Sequence, residues 1–278
     1  MQKIKEIEEI DKDKIEELLE SLAKDRPIFH NEQDFQFELA RKISENVDSN
    51  SNIIIRLEYF IGESSKDVSE QKDSKKTKRN RIYVDIMIID NNKNEAIAIE
   101  LKYKAKKIEF EYKNEWYSLK EQGARDFGCY YTFCDLKRIE KIVSNKENKE
   151  FCNLKNIDII RGYVIFLTND GHSYMEKTNP MTGIFKNYSL NENEDHKIII
   201  KGEEPYEYWN KKDGKTIDYN KKVEEEYTSI KGKPPITFNK EHLGEWSKYS
   251  RIRKEEIKKL KDEIVYKLIF EVTSKNNW

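Results

Sequence analysis

Residues 81–104 read Arg81-Ile82-Tyr83-Val84-Asp85-Ile86-Met87-Ile88-Ile89-Asp90-Asn91-Asn92-Lys93-Asn94-Glu95-Ala96-Ile97-Ala98-Ile99-Glu100-Leu101-Lys102-Tyr103-Lys104. Two apolar runs flank the polar turn Asp90-Asn91-Asn92-Lys93-Asn94. That connection is too short for a crossover helix, so the spacing predicts an antiparallel hairpin with strands at 81–89 and 95–103. Alternate residues of a strand share a face. Ile97, Ile99, Leu101 and Tyr103 therefore point one way, and Ala98, Glu100 and Lys102 the other. Lys104 and Lys106 continue the second face if the strand extends. Asp85 and Glu100 are each the lone acid within an apolar run, and counting back from the turn sets them opposite one another.

Two carboxylates a few ångströms apart repel, and one would bind its proton more tightly unless a cation lay between them. Oxygen ligands of this kind suit Mg²⁺ or Mn²⁺, which commonly use one or two carboxylates together with water and phosphate oxygens. The Lys102 ammonium, two residues beyond Glu100, is placed to orient a water or to stabilise charge on a phosphate.

Outward from the hairpin, Ile4, Ile7, Ile10, Ile15, Leu18, Leu19 and Leu22 form an apolar stripe that predicts a helix over 3–24, ended by Asp25-Arg26-Pro27. Such a stripe could pair two copies of the chain, but covering one end of its own core is the more economical use. A second helix is expected over 31–47, on Phe35, Leu39 and Ile43, and a strand over 52–60. Residues 62–80 have almost no apolar side chains and read as a loop that ends in Lys75, Lys76, Lys78, Arg79 and Arg81. Helical segments are expected near 118–143, then a strand at 162–167. Residues 172–278 read as an irregular aromatic extension packed on the core, with a helix near 254–262 and a final strand at 264–272; Trp246, Tyr249 and Trp278 read as packing residues. The organisation is thus an N-terminal helix (1–28), a core (29–171) and the extension (172–278) within one domain. The fold class is α/β (α+β), a mixed central sheet flanked by helices.

The 278 residues are 36% hydrophobic and 38% charged, enough for one core under a heavily solvated surface. No apolar run approaches the roughly 18–20 residues of a membrane span, and Met1–Ile10 is too charged for a signal peptide; a cytoplasmic protein is the expectation. Cys129, Cys134 and Cys152 make neither a disulfide framework nor a zinc template with the distant His172 and His196. The net charge of −1 gives no argument for nucleic acid, but its distribution does. Residues 1–24 hold five Lys against eight acids, whereas residues 72–107 hold eleven Lys and Arg against five acids. A local basic region of that kind suits a phosphate-facing groove. No paired aromatics on adjacent strands, a signature of RNA recognition, are visible.

Asp85 followed across a hairpin by Glu100-Leu101-Lys102 resembles the active-site signature of the PD-(D/E)XK nuclease superfamily, with Val84 in place of the proline. The segment from Phe29 to about Glu140 also resembles uncharacterised prokaryotic members, through Phe29-His30-Asn31-Glu32-Gln33-Asp34-Phe35-Gln36, Ala98-Ile99-Glu100-Leu101-Lys102-Tyr103 and Gln122. The resemblance implies a restriction-endonuclease-like core and Mg²⁺- or Mn²⁺-dependent phosphodiester hydrolysis, with DNA as the substrate. Asp85, Glu100 and the Leu101 carbonyl would hold the metal. Members often add an acid from the helix before the sheet, and Glu32 lies close to Leu39 and Ile43 on the helix wheel. Glu58 is a weaker candidate for that place. Some branches carry a Gln on the helix after the Lys strand, which Gln122, four residues from Asp126, would match. Lys75, Lys76, Lys78, Arg79, Arg81, Lys104, Lys106 and Lys107 would contact phosphates. The alternative is a non-catalytic nucleic-acid- or protein-binding module on the same fold.

Overall fold

The structure, a computed structural model, describes residues 2–65, 79–122, 124–144, 151–154, 156–175, 188–191, 197–200, 208–210, 215–217, 236, 238–259 and 261–274. The expected hairpin forms from β2 (Arg79–Asp90) and β3 (Glu95–Lys104), antiparallel and in continuous register from Asp90↔Glu95 to Ile86↔Ile99. Asp90 caps its turn, its Oδ1 accepting from the amides of Asn92 (2.9 Å) and Lys93 (3.2 Å). β1 (Ile53–Ser65) lies antiparallel on the outer side of β2. β6 (Asp158–Thr168) lies parallel to β3 on the other side. β11 (Glu263–Thr273), β10 (His242–Ile252) and β7 (Lys197–Ile200) complete a seven-stranded sheet in the order β1-β2-β3-β6-β11-β10-β7, and β8 (Tyr208–Asn210) and β9 (Lys215–Ile217) form a separate antiparallel pair. Among the described strands of this sheet only the β3–β6 pair is parallel, so the molecule is a mixed α+β fold around a mostly antiparallel sheet.

Both faces of the sheet are covered, which is why β3 and β6 are apolar nearly throughout. On one face α1 (Lys12–Asp25) and α2 (Glu32–Asn46) pack Leu18, Leu22, Phe35 and Leu39 against Ile97, Ile99, Leu101 and Tyr103. On the other, α3 (Arg125–Ser144) packs Phe133, Leu136 and Ile139 against Ala96, Ala98 and Val164. Gly162 admits α3 this closely, since a β-carbon there would lie 2.3 Å from Ile139 Cγ2. α2 starts at the Asn31 cap, whose Oδ1 accepts from the Asp34 amide at 2.8 Å.

Several expectations are corrected. The predicted helix over 3–24 breaks at Ile10: Ile7–Glu9 is a 3-10 turn, and Asp11 caps a new helix by accepting from the Lys14 amide. The stripe is buried in its own chain all the same, Ile4 through Leu22 being 0% exposed at every apolar position named above. The helix expected from 118 begins at Arg125; before it comes a hairpin, β4 (Ile108–Tyr112) and β5 (Glu115–Leu119), turning on Lys113 and Asn114 at positive φ. β1 and β2 extend into the expected loop of 62–80, whose residues 66–78 lie outside the described ones. The helix expected over 254–262 is a single turn, α5 (Lys254–Ile257), after the equally short α4 (Gly171–Tyr174). Most consequentially, the extension expected to pack on the core and to end in a strand contributes three strands, β7, β10 and β11, to the main sheet. Trp246 and Tyr249 are buried there, while Trp278 lies outside the described residues. Among the described residues no helix is long and apolar enough to cross a membrane.

Candidate active site

β2 and β3 pair as far as Ile86↔Ile99 and then part. The next position on each strand is Asp85 and Glu100, so the two acids sit where the hairpin opens. Asp85 replaces the missing ladder bond with its side chain, its Oδ2 accepting from the Leu101 amide at 2.6 Å. The Asp85 carbonyl accepts from Gln36 Nε2 at 2.7 Å, and the same nitrogen lies 3.0 Å from Glu58 Oε1. Glu58 falls between the pairs Leu57↔Ile86 and Tyr59↔Val84, facing Asp85, and carries φ 48°. A left-handed glutamate costs on the order of 1 kcal/mol or more, and this one sits against the candidate site.

Glu100 and Lys102 face α3, as the alternation predicts. α3 crosses β3 in the opposite direction: a β-carbon at Gly128 would lie 3.4 Å from Lys104 Cε, Asp135 Oδ2 is 2.7 Å from Lys102 Nζ, and Arg138 Nη1 bonds Glu100 Oε1. Arg138 also donates to Asp135 Oδ1 at 3.0 Å, and Lys102 Nζ donates to the Leu101 carbonyl at 3.1 Å. Lys102, Asp135, Arg138 and Glu100 thus form, in that order, one alternating chain of charge, with Glu100 only 2% exposed.

Burial pushes the Asp85 carboxyl up to about 6; the Leu101 amide and Lys102 pull it down, while Asp135 and Glu32 push it further up. Glu100 is raised well above the usual carboxylate range, first by burial and then by Asp135 and Asp85, against the pull of Arg138 and Lys102. Burial alone would lower Lys102, but Asp135, Glu32 and Asp85 outweigh it and keep the ammonium protonated. Burial therefore raises both acids in spite of the cations beside them.

Glu32 heads α2, and its Oε2 accepts from the Tyr103 amide at 2.9 Å, another group exposed by the parting of β2 from β3. It joins the site from the face opposite α3, which fits the notion of a supporting acid. Gln122 is a correction in placement: it is exposed in the loop before α3, with its amide on the Ala105 carbonyl at 3.0 Å, and not on a helical face with Asp126 and Tyr130. The left-handed Ala124 (φ 62°) separates it from the helix. Lys104 lies along α3 beside the site. Lys106 turns away, its Nζ 3.3 Å from Glu263 Oε1. Arg81 is exposed and Lys107 is exposed, whereas Lys75, Lys76, Lys78 and the Arg79 side chain lie outside the described residues. A polar groove lined by Lys5, Glu6, Asp48, Asn52, Asp90 and Lys93 lies at the turn end of the hairpin, away from this chemistry.

Asp135 and Arg138 were not anticipated. In a helix an acid and an arginine three apart read as an exposed ion pair; Asp135 is instead 4% exposed. The donor set, two carboxylates and the Leu101 carbonyl, is of the hard-oxygen kind that Mg²⁺ and Mn²⁺ take. Asp85 engages only Oδ2 and Glu100 only Oε1 with described residues, so each keeps an oxygen for a cation. No three His, Cys, Asp or Glu side chains among the described residues converge on one point, so water or phosphate would have to complete the coordination. No family model, curated protein or solved structure matches the chain.

Proposed function

We propose that the chain is a divalent-metal-dependent phosphodiesterase acting on nucleic acid, with DNA as the leading substrate. The observation that carries this reading is the pair of buried carboxylates, Asp85 and Glu100, at the opening of an otherwise apolar hairpin, both with raised proton affinity and with Lys102 on the same face. Asp85, Glu100 and the Leu101 carbonyl would hold the ion, which supplies Lewis-acid stabilisation of charge building on the phosphate. Lys102 stays protonated, so it acts as a fixed positive charge toward the phosphate and not as a base. Glu32 holds β3 by the Tyr103 amide, and Gln36 holds β2 by the Asp85 carbonyl, fixing the two acids relative to one another. The test is cleavage of plasmid, duplex, single-stranded DNA and RNA with Mg²⁺ or Mn²⁺, wild type against Asp85→Asn. Metal-dependent cleavage lost in the variant supports the reading; cleavage equal in both removes it.

One observation favours a second reading, a non-catalytic binding module. Arg138 already pairs with Glu100 and Asp135 with Lys102, so the charges are largely matched within the chain. Tight nucleic-acid binding without cleavage in either metal would select that module.

A further inference from the structure

Asp135 and Arg138 share a flank of α3 and reach the two polar side chains of β3 that face it. One carboxylate, Asp135, touches both cations of the centre: its Oδ1 accepts from Arg138 Nη2 at 3.0 Å, and its Oδ2 lies 2.7 Å from Lys102 Nζ. Each cation also leans on an oxygen that would hold the metal. Arg138 Nη1 donates to Glu100 Oε1, and Lys102 Nζ donates to the Leu101 carbonyl at 3.1 Å. Two of the three candidate ligands thus already meet a positively charged donor from the chain itself.

A buried carboxylate without a partner is costly, and Glu100 is 2% exposed with Arg138 as its side-chain partner. Burial would lower the proton affinity of Arg138, but Glu100 and Asp135 outweigh it, so the guanidinium stays charged. It does for Glu100 what a bound cation would do. A guanidinium on one oxygen and a divalent ion on the other would stand a few ångströms apart, and like charges repel strongly where the dielectric is low. Of the two cations Arg138 is the better placed to move, its side chain being 29% exposed against 16% for Lys102. The Tyr83 carbonyl, 3.5 Å from Nη1, is an acceptor outside the chain of ion pairs.

We propose that Arg138 is a built-in counter-ion that keeps the acid pair closed: it neutralises Glu100 in the metal-free protein and withdraws when a divalent ion binds at Asp85 and Glu100, while Asp135 retains Lys102. The proposal rests on the metal-dependent reading above and names how that site is regulated. A site held shut in this way binds its ion more weakly than its oxygens alone would, because apparent affinity is reduced to the fraction of molecules that are open. In return, Glu100 is never left charged and unpaired when no ion is at hand.

The test is Mn²⁺ binding to the full-length chain, with free Mn²⁺ read by electron paramagnetic resonance. Wild type, Arg138→Gln, Asp85→Asn and the double variant are compared, with melting curves to show that each is folded. Arg138→Gln should bind Mn²⁺ roughly 10-fold or more tighter than wild type, and Asp85→Asn should abolish that binding in both backgrounds. A merely structural arginine predicts the opposite sign, because its loss would loosen the acid pair. Binding by Arg138→Gln equal to or weaker than wild type overturns the proposal and leaves the metal-dependent reading standing. No Asp85-dependent Mn²⁺ binding in either protein removes both. A second measurement needs no variant: phenylglyoxal modification of Arg138 in wild type, followed by mass spectrometry with and without Mn²⁺. Faster modification with Mn²⁺ is expected, and a rate that is unchanged or slower overturns the proposal.

Discussion

Glu140 and Glu100 are two glutamates at the same helix, 0% and 2% exposed, with opposite electrostatics. Burial would raise Glu140, but hydrogen bonds from His242 and Lys137 outweigh it and hold the group below the usual range. Its Oε1 also accepts from the amides of Asn239 (2.9 Å) and Lys240 (3.2 Å), tying the start of β10 to α3. Glu100 receives one side-chain partner, Arg138, and burial keeps it raised. Depth alone therefore does not mark a site. A buried acid furnished with several donors is holding the fold together, whereas one with a single side-chain partner and a raised proton affinity is the kind that the proposed metal site would use.

The same substitution at both positions should separate them. Glu140→Gln removes a charge from several donors and should cost roughly 3–5 kcal/mol in urea denaturation, whereas Glu100→Gln, which resembles the protonated form that burial favours, should cost clearly less. Equal losses would break the contrast.

Lys102→Ala is next in size. It should slow cleavage roughly 10²- to 10³-fold, mainly in kcat, because it removes a charge directed at the transition state. A change confined to KM would assign Lys102 to binding alone.

Asp85 sharpens the contrast through pH. Its folded carboxyl, near 6, lies above its ordinary 3.8, so its contribution to stability is complete below about 4 and is lost as pH rises to 6. At pH 7 without metal the charged form costs ~3 kcal/mol. Asp85→Asn should therefore be more stable than wild type at pH 7 in EDTA, and the gap should close at pH 4. Melting curves at both values check this; a gap independent of pH would contradict it.

The smallest effect is expected at Glu32. Glu32→Gln keeps an acceptor for the Tyr103 amide and should change stability by about 1 kcal/mol or less, while cleavage falls through loss of the negative charge that acts on Lys102 and Asp85. Unchanged cleavage would make Glu32 purely a strand clip.

Much of this was legible in local sequence. The β2–β3 hairpin, its register and the shared face of Glu100 and Lys102 follow from a period of two and a short polar turn. Glu32 was legible from the helical wheel. Asp135 and Arg138 were not, because only the docking of α3 at Gly162 turns that flank toward β3, and docking is a long-range fact. Gln122 was drawn onto the helix by extending a four-residue spacing through Ala124, where the backbone is left-handed. The β4–β5 hairpin was hidden by strands of five residues each; the strand at 264–272 was expected, but its pairing with β6, about a hundred residues earlier, was not legible. The aromatic extension looked irregular for that reason, although its strands β7, β10 and β11 belong to the sheet.

The central claim is that Asp85 and Glu100 hold a divalent ion for phosphodiester hydrolysis, and the most direct measurement is a side-by-side Mn²⁺-dependent cleavage assay of wild type and Glu100→Gln. The account predicts cleavage by wild type, abolished by EDTA, and a rate at least about 10³-fold lower in a variant that melts normally. Equal rates in the two proteins, or no cleavage by wild type with any divalent ion, would contradict it.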